Sequence, residues 1–179
     1  STAFSADNSL DLVGFDACLM QTYEVGLELA SIANVMVASQ ETEPGDGWDY
    51  QGFLNSLAAN PYASSETLGG YIVESYDSSY DSVSETLSSV DLSKYQAIDD
   101  AMTTFNTTAL TASGSDWLII DDAVEDAWSS AAWDYGWAGE EYDLGQFFSY
   151  IATNGGSSAL QTAAAAVEDA IDVAGLDNS

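Results

Sequence analysis

DLVGFDACLM, running from Asp11 to Met20, holds the only cysteine of the chain, two residues after an acid and just where an apolar run stops. Leu10, Leu12, Val13, Gly14 and Phe15 make up that run, which reads as a buried strand ending at Asp16. From Leu19 onward the apolar spacing changes to threes and fours through Met20, Tyr23, Leu27 and Ala30, one face of an amphipathic helix. Asn34 closes that helix. Val35 to Ala38 then form a second apolar run, and Ser39 to Gly47 supply a polar loop containing Pro44-Gly45. Strand, helix and strand in about forty residues define a βαβ unit whose strands lie parallel under a cover of helices. Ligands of such sheets bind beyond the carboxyl ends of the strands, so Cys18 and the loop from Ser39 are expected to face one crevice.

A lone cysteine after an apolar strand has two readings. One is a small buried hydrophobe, the usual state of a free thiol. The other is a nucleophile at a strand end and helix start, where unpaired backbone N–H groups favour a thiolate and can hold an oxyanion.

The charge balance narrows the partners. Of 179 residues thirty are Asp or Glu and one, Lys94, is basic; there is no Arg or His, and the formal charge is −29. Ordinary binding to a phosphate backbone, which needs Lys and Arg, is ruled out, and nucleic acid and anionic membranes are poor partners. What remains is solubility in brine, attraction of cations such as Ca²⁺, or attraction of basic peptides. The acids are spread along the chain, which favours a folded acidic surface over an acidic tail. No stretch approaches the ~18 apolar residues of a membrane span, and no leader pattern opens the sequence.

Downstream the text is mainly helical. Segments are expected from Tyr50 to Leu57, from Ser64 through Tyr76, after the Asp91-Leu92-Ser93 cap, from Asp116 through Trp128, after Asp143, and from Leu160 to Val173. Residues 1–50 are read as the βαβ core and 51–179 as a mainly helical remainder of the same domain, with no internal repeat. Trp128, Trp133 and Trp137 are open to reading as an aromatic platform or as core, and Asp121, Asp122, Glu125 and Asp126 as a cation site or a solvated helix face.

GFDACLM, with Glu24 beyond it, followed by VASQETEPGDGWDY, resembles the clostripain family of cysteine peptidases, relatives of caspases and gingipains; weaker echoes continue in DLSKYQAIDDAM and YDLGQFFSYI. The resemblance implies a caspase-like α/β/α sandwich of three layers, with a mostly parallel sheet completed by another chain that carries the catalytic His. It implies that Cys18 is the nucleophile. It implies that Asp16 lies at the base of the pocket for a P1 Arg or Lys, although a carboxylate there also suits a helix cap. Ser39, Glu41 and Asp46 are assigned to the substrate wall, with Asp46 as a second partner for P1 charge. The same oxygens suit Ca²⁺, which some relatives need, though no EF-hand spacing occurs.

The functional expectation is a secreted or cell-surface cysteine endopeptidase cutting after Arg or Lys, its His on a separate piece released from a common precursor by self-cleavage. A chain with a single basic residue offers such an enzyme almost nothing to cut, although brine adaptation also removes Lys. The alternative is a catalytically silent acidic module that binds basic peptides or cations.

Overall fold

The computed structural model describes residues 9–80, 86–130 and 142–178. Two apolar strands come first, β1 (Leu10–Gly14) and β2 (Ala33–Ala38), joined by the short helix α1 (Tyr23–Leu29). They pair in parallel, Leu10 opposite Ala33, Leu12 opposite Val35 and Gly14 opposite Val37, as the βαβ pattern requires. Next come α2 (Tyr50–Ala59) and α3 (Ser65–Asp77), capped by Asp49 and Ser64, whose side chains accept the backbone N–H of Gly52 and Thr67.

The sheet departs from expectation after that. Strands β3 (Ser88–Asp91) and β4 (Gly175–Asn178) extend it in the order β1-β2-β3-β4, and both new ladders are antiparallel. Of the ladders described in this chain only β1–β2 is parallel, so this part of the sheet is mixed, and two short strands join the mainly helical remainder after residue 50. Ser-Ser-Val-Asp and Gly-Leu-Asp-Asn carry little strand propensity and no apolar run. Their pairing is set by neighbours: Ser89 is fully buried where α3 crosses, and a methyl group at Gly69 would lie 2.3 Å from the Ser89 Oγ.

Burial follows position in the sheet. In β2, Val35, Met36, Val37 and Ala38 are all 1 % exposed or less, whereas β1 is only half-buried. An expected buried strand is therefore an edge strand among the described residues, paired on one side only, with β2. Val35 and Val37 pack under α2 and α3 with Trp48, Phe53, Ile72 and Tyr76, while Met36 points to the opposite face by the two-residue alternation of a strand.

Around α1, Tyr23 stacks on Tyr95 at 6.2 Å, and Tyr95 is buried at the end of a single 3₁₀ turn, Leu92–Lys94, that Asp91 caps. Gly26 lies directly beneath that ring, since an added Cβ would sit 2.0 Å from a Tyr95 ring carbon. Gly26→Ala is expected to destabilise the fold by about 1–3 kcal/mol, because the ring must move out of its packed position. A shift of the urea midpoint to lower concentration at constant slope checks this.

Two compact units are distinguished: the described residues up to Gln96 with those from Val173, and Ala97–Asp172. The second is helical, comprising most of α4 (Tyr95–Leu110), then α5 (Gly114–Ser130), α6 (Leu144–Asn154) and most of α7 (Ser158–Ala174). Its core centres on Phe105, whose ring meets Phe148 edge-on at 4.9 Å, with Ile151, Leu160 and Val167 fully buried. At the start of α5, Ser113 and Asp116 cap each other reciprocally, the Ser113 N–H donating to Asp116 Oδ2 at 3.2 Å. Asp121, Asp122 and Glu125 lie along α5, and Asp126 accepts from the Gln146 amide at 2.6 Å. The side chain of Trp128, and Trp133 and Trp137 altogether, lie outside the described residues.

Candidate active site

Beyond their last paired residues, β1 and β2 keep running side by side. Phe15 N–H donates to the Val37 carbonyl at 2.9 Å, Leu19 N–H to Glu41 at 2.8 Å and Gln21 N–H to Ser39 at 2.9 Å. These three bonds stitch residues 15–21 to 37–41, so the cysteine stretch and the polar loop meet at the carboxyl end of the parallel pair. Cys18 is exposed there, rather than sealed as a small hydrophobe.

The surroundings of the sulfur differ from those expected. Helix α1 begins at Tyr23 because Thr22 caps it, its Oγ1 accepting Val25 N–H at 3.3 Å. Cys18 is thus in a turn ahead of the helix, not at its N-terminus. The N–H aimed at the sulfur comes from across the crevice, where Glu43 N–H donates to Cys18 Sγ at 3.3 Å. Leu19, next in sequence, has φ +60, a left-handed conformation uncommon for a leucine, held by its bond to Glu41.

Asp16 is exposed and does not cap α1; it accepts from the far side of the loop. Trp48 N–H and the Tyr50 hydroxyl both donate to its Oδ2, at 3.3 and 3.0 Å. Between Asp46 and Trp48, Gly47 adopts φ +66, and a Cβ there would fall 2.6 Å from the same Oδ2. Only glycine allows this turn beneath the carboxylate. The Tyr80 hydroxyl donates to the Gly47 carbonyl, and Trp48 Nε1 donates to Glu43 Oε1 at 3.2 Å. Burial raises the Glu43 carboxyl above its usual range, hydrogen bonds from Trp48 and Tyr76 pull it back, and the Asp16 charge raises it again.

Ser39, Glu41 and Asp46 occupy one loop but different depths. Asp46 is exposed. Ser39 is fully buried, its Oγ accepting the Glu41 N–H at 2.9 Å and lying 3.1 Å from the Thr86 hydroxyl. Glu41 is 2 % exposed, and burial pushes its carboxyl from 4.5 up to about 7 against a weak bond from Thr42 N–H. A raised carboxyl makes the folded state bind the extra proton, so this residue stabilises the fold below pH 4.5 and loses that contribution as pH rises through about 7. The stability difference between the parent and Glu41→Gln is expected to change over that window and stay flat outside it, as chemical denaturation at a series of pH values will read.

Tyr50, Trp48, Gly47 and Thr86 are contributors that the sequence reading did not assign. Only Gly47 left a local sign, in the turn-forming Pro-Gly-Asp-Gly run. Among the described residues no three acids or thiols come close enough to hold a metal ion, and the chain has no His to set beside Cys18.

An exposed thiol thus lies at the carboxyl end of a parallel strand pair with a backbone N–H on its sulfur. The profile of the clostripain family matches residues 1–173, and the chain belongs to that family of cysteine peptidases. No curated protein matches it in sequence. Several solved structures share its fold. A cysteine protease from B. fragilis aligns with 19% identity and a TM-score of 0.68 over 96% of this chain and 68% of its own. A clostripain from Bacteroides thetaiotaomicron, in complex with the peptide inhibitor BTN-VLTK-AOMK, aligns with 15% identity and a TM-score of 0.61 over 97% of this chain and 69% of its own. A secreted C11 cysteine protease from the same organism, in complex with an irreversible peptide inhibitor, aligns with 20% identity and a TM-score of 0.63 over 96% of this chain, which spans only 44% of that protein.

Proposed function

We propose that this chain is the cysteine-bearing part of a single caspase-like endopeptidase domain that hydrolyses peptide bonds after Lys or Arg. The observation that carries the reading is the exposed Cys18 sulfur, with Glu43 N–H on it and the Asp16 carboxylate two residues away. Cys18 Sγ attacks the scissile carbonyl, and the sulfur–carbon bond forms as the carbonyl electrons move onto oxygen. An imidazole from another part of the precursor holds the thiolate and gives its proton to the leaving amine; water then hydrolyses the thioester. That imidazole has to come from outside these residues, since the chain contains no His.

Two features support completion by further sheet. β1 has a ladder on one side only among the described strands, and the chain spans 44% to 69% of the similar structures just described. A strand added to the open edge of β1 brings its own carboxyl end beside Cys18. Self-cleavage at basic residues accords with a chain that retains Lys94 alone. The secreted relative and the acidic surface support an extracellular setting, in which thirty acids and one basic residue suit high salt.

Asp16 and Asp46 are the proposed partners of P1 charge. Ser39 and Glu41, being buried, back the substrate wall and fix the loop that carries Glu43 N–H. The peptide VLTK of the inhibitor bound by one relative ends in lysine, which supports a basic P1. A second reading, the silent acidic module, draws on the missing His. Peptides differing only at P1, given to the mature product of the full-length precursor, separate the two: cleavage after Lys and Arg and not after Ala or Gln supports the peptidase, and binding of basic peptides without cleavage supports the module.

A further inference from the structure

The two oxygens of Asp16 are not equivalent. Oδ2 accepts both the Trp48 N–H and the Tyr50 hydroxyl, whereas no donor among the described residues reaches Oδ1. The carboxylate also lies close over Gly47, which limits any retreat or rotation. A carboxylate oxygen offers about two lone-pair sites, so Oδ2 is filled and Oδ1 is open.

Basic side chains use a carboxylate differently. A guanidinium gains its strength and direction from two parallel N–H···O bonds, one to each oxygen. An ammonium is a compact charge with three rotatable donors and needs one open oxygen. We propose that Tyr50 is the residue that sets the choice between the two, favouring lysine over arginine at P1 by occupying the Asp16 oxygen that a guanidinium fork requires.

The inference rests on the reading of Asp16 as the P1 partner and adds which base it prefers. Tyr50 is well placed for the role. It is the first residue of α2, 51 % exposed, with its ring tilted against Phe53 at 5.4 Å and near Trp48 at 6.4 Å, so its hydroxyl is aimed rather than free to wander. Its phenol is pushed above its ordinary value by burial first, then by the hydrogen bond and charge of Asp16 and the charge of Glu43, so it stays a donor at neutral pH.

The test uses paired peptides that differ only in Lys or Arg at P1, hydrolysed by the mature enzyme from its full-length precursor. The parent is expected to cleave after Lys at least as efficiently as after Arg. Tyr50→Phe keeps the ring and vacates one site on Oδ2, and the Lys-to-Arg ratio of kcat/KM should move toward Arg by about tenfold, chiefly through a lower KM for the Arg peptide. A merely structural role for Tyr50 would slow both peptides alike and leave the ratio where it was, which overturns the proposal. So does a parent that favours Arg tenfold or more, a measurement that does not depend on the variant folding. Cleavage after neutral residues as fast as after basic ones removes the Asp16 reading itself and this inference with it, whereas an unmoved ratio with basic P1 retained removes the inference alone.

Discussion

Cys18→Ala is expected to lower kcat/KM on basic peptides by at least about a thousandfold, because no other group in the crevice can form the covalent intermediate. Fold and stability should hardly change. The sulfur is exposed and its one hydrogen bond is accepted from a backbone N–H at the surface, so nothing buried loses a partner. Equal loss in the Cys18→Ala and Cys18→Ser variants, with unchanged circular dichroism and urea midpoint, would separate lost chemistry from lost structure. The Cys18→Ala precursor should also fail to separate into chains, and its normal maturation would rule out self-cleavage.

Asp16→Asn carries the second large effect. The amide is nearly the shape of the carboxylate, and its oxygen can still accept from Trp48 N–H and the Tyr50 hydroxyl, which keeps the loop in place. What it removes is the charge. A P1 cation loses its charged partner while the neutral contacts stay, so hydrolysis after Lys and Arg should fall by about a hundredfold. A peptide with neutral P1 should lose far less. Steady-state kinetics on both peptides decides it, and an equal fall on the two would place Asp16 in general support of the loop.

What could be read from residue order was local. Two apolar runs separated by helical spacing specify a parallel pair, and the rule about strand ends then brings Cys18 and the Ser39 loop together without coordinates. Signals that depend on distant neighbours were not readable. Strand β3 exists because Ser88–Asp91 is held between β2 and β4, and its sequence alone looks like turn. Helix α1 starts at Tyr23 because Thr22 caps it, a local cue that the continuous apolar spacing from Leu19 masked. The bond from Tyr50 to Asp16 joins residues thirty-four apart, so no short motif announces it. Ser39 and Glu41 show the limit for site residues: a polar loop reads as solvated, yet these two turn inward to bond the loop to itself and to Thr86.

The central claim is that the Cys18 sulfur is the attacking group at a site for basic side chains. Mass spectrometry of the mature enzyme after treatment with a lysyl chloromethylketone peptide tests it most directly. The account predicts one adduct, on the fragment carrying Cys18, formed in parallel with loss of activity and blocked by a competing Lys peptide. Full inactivation with Cys18 unmodified, or labelling as fast with a neutral P1 reagent, would contradict it.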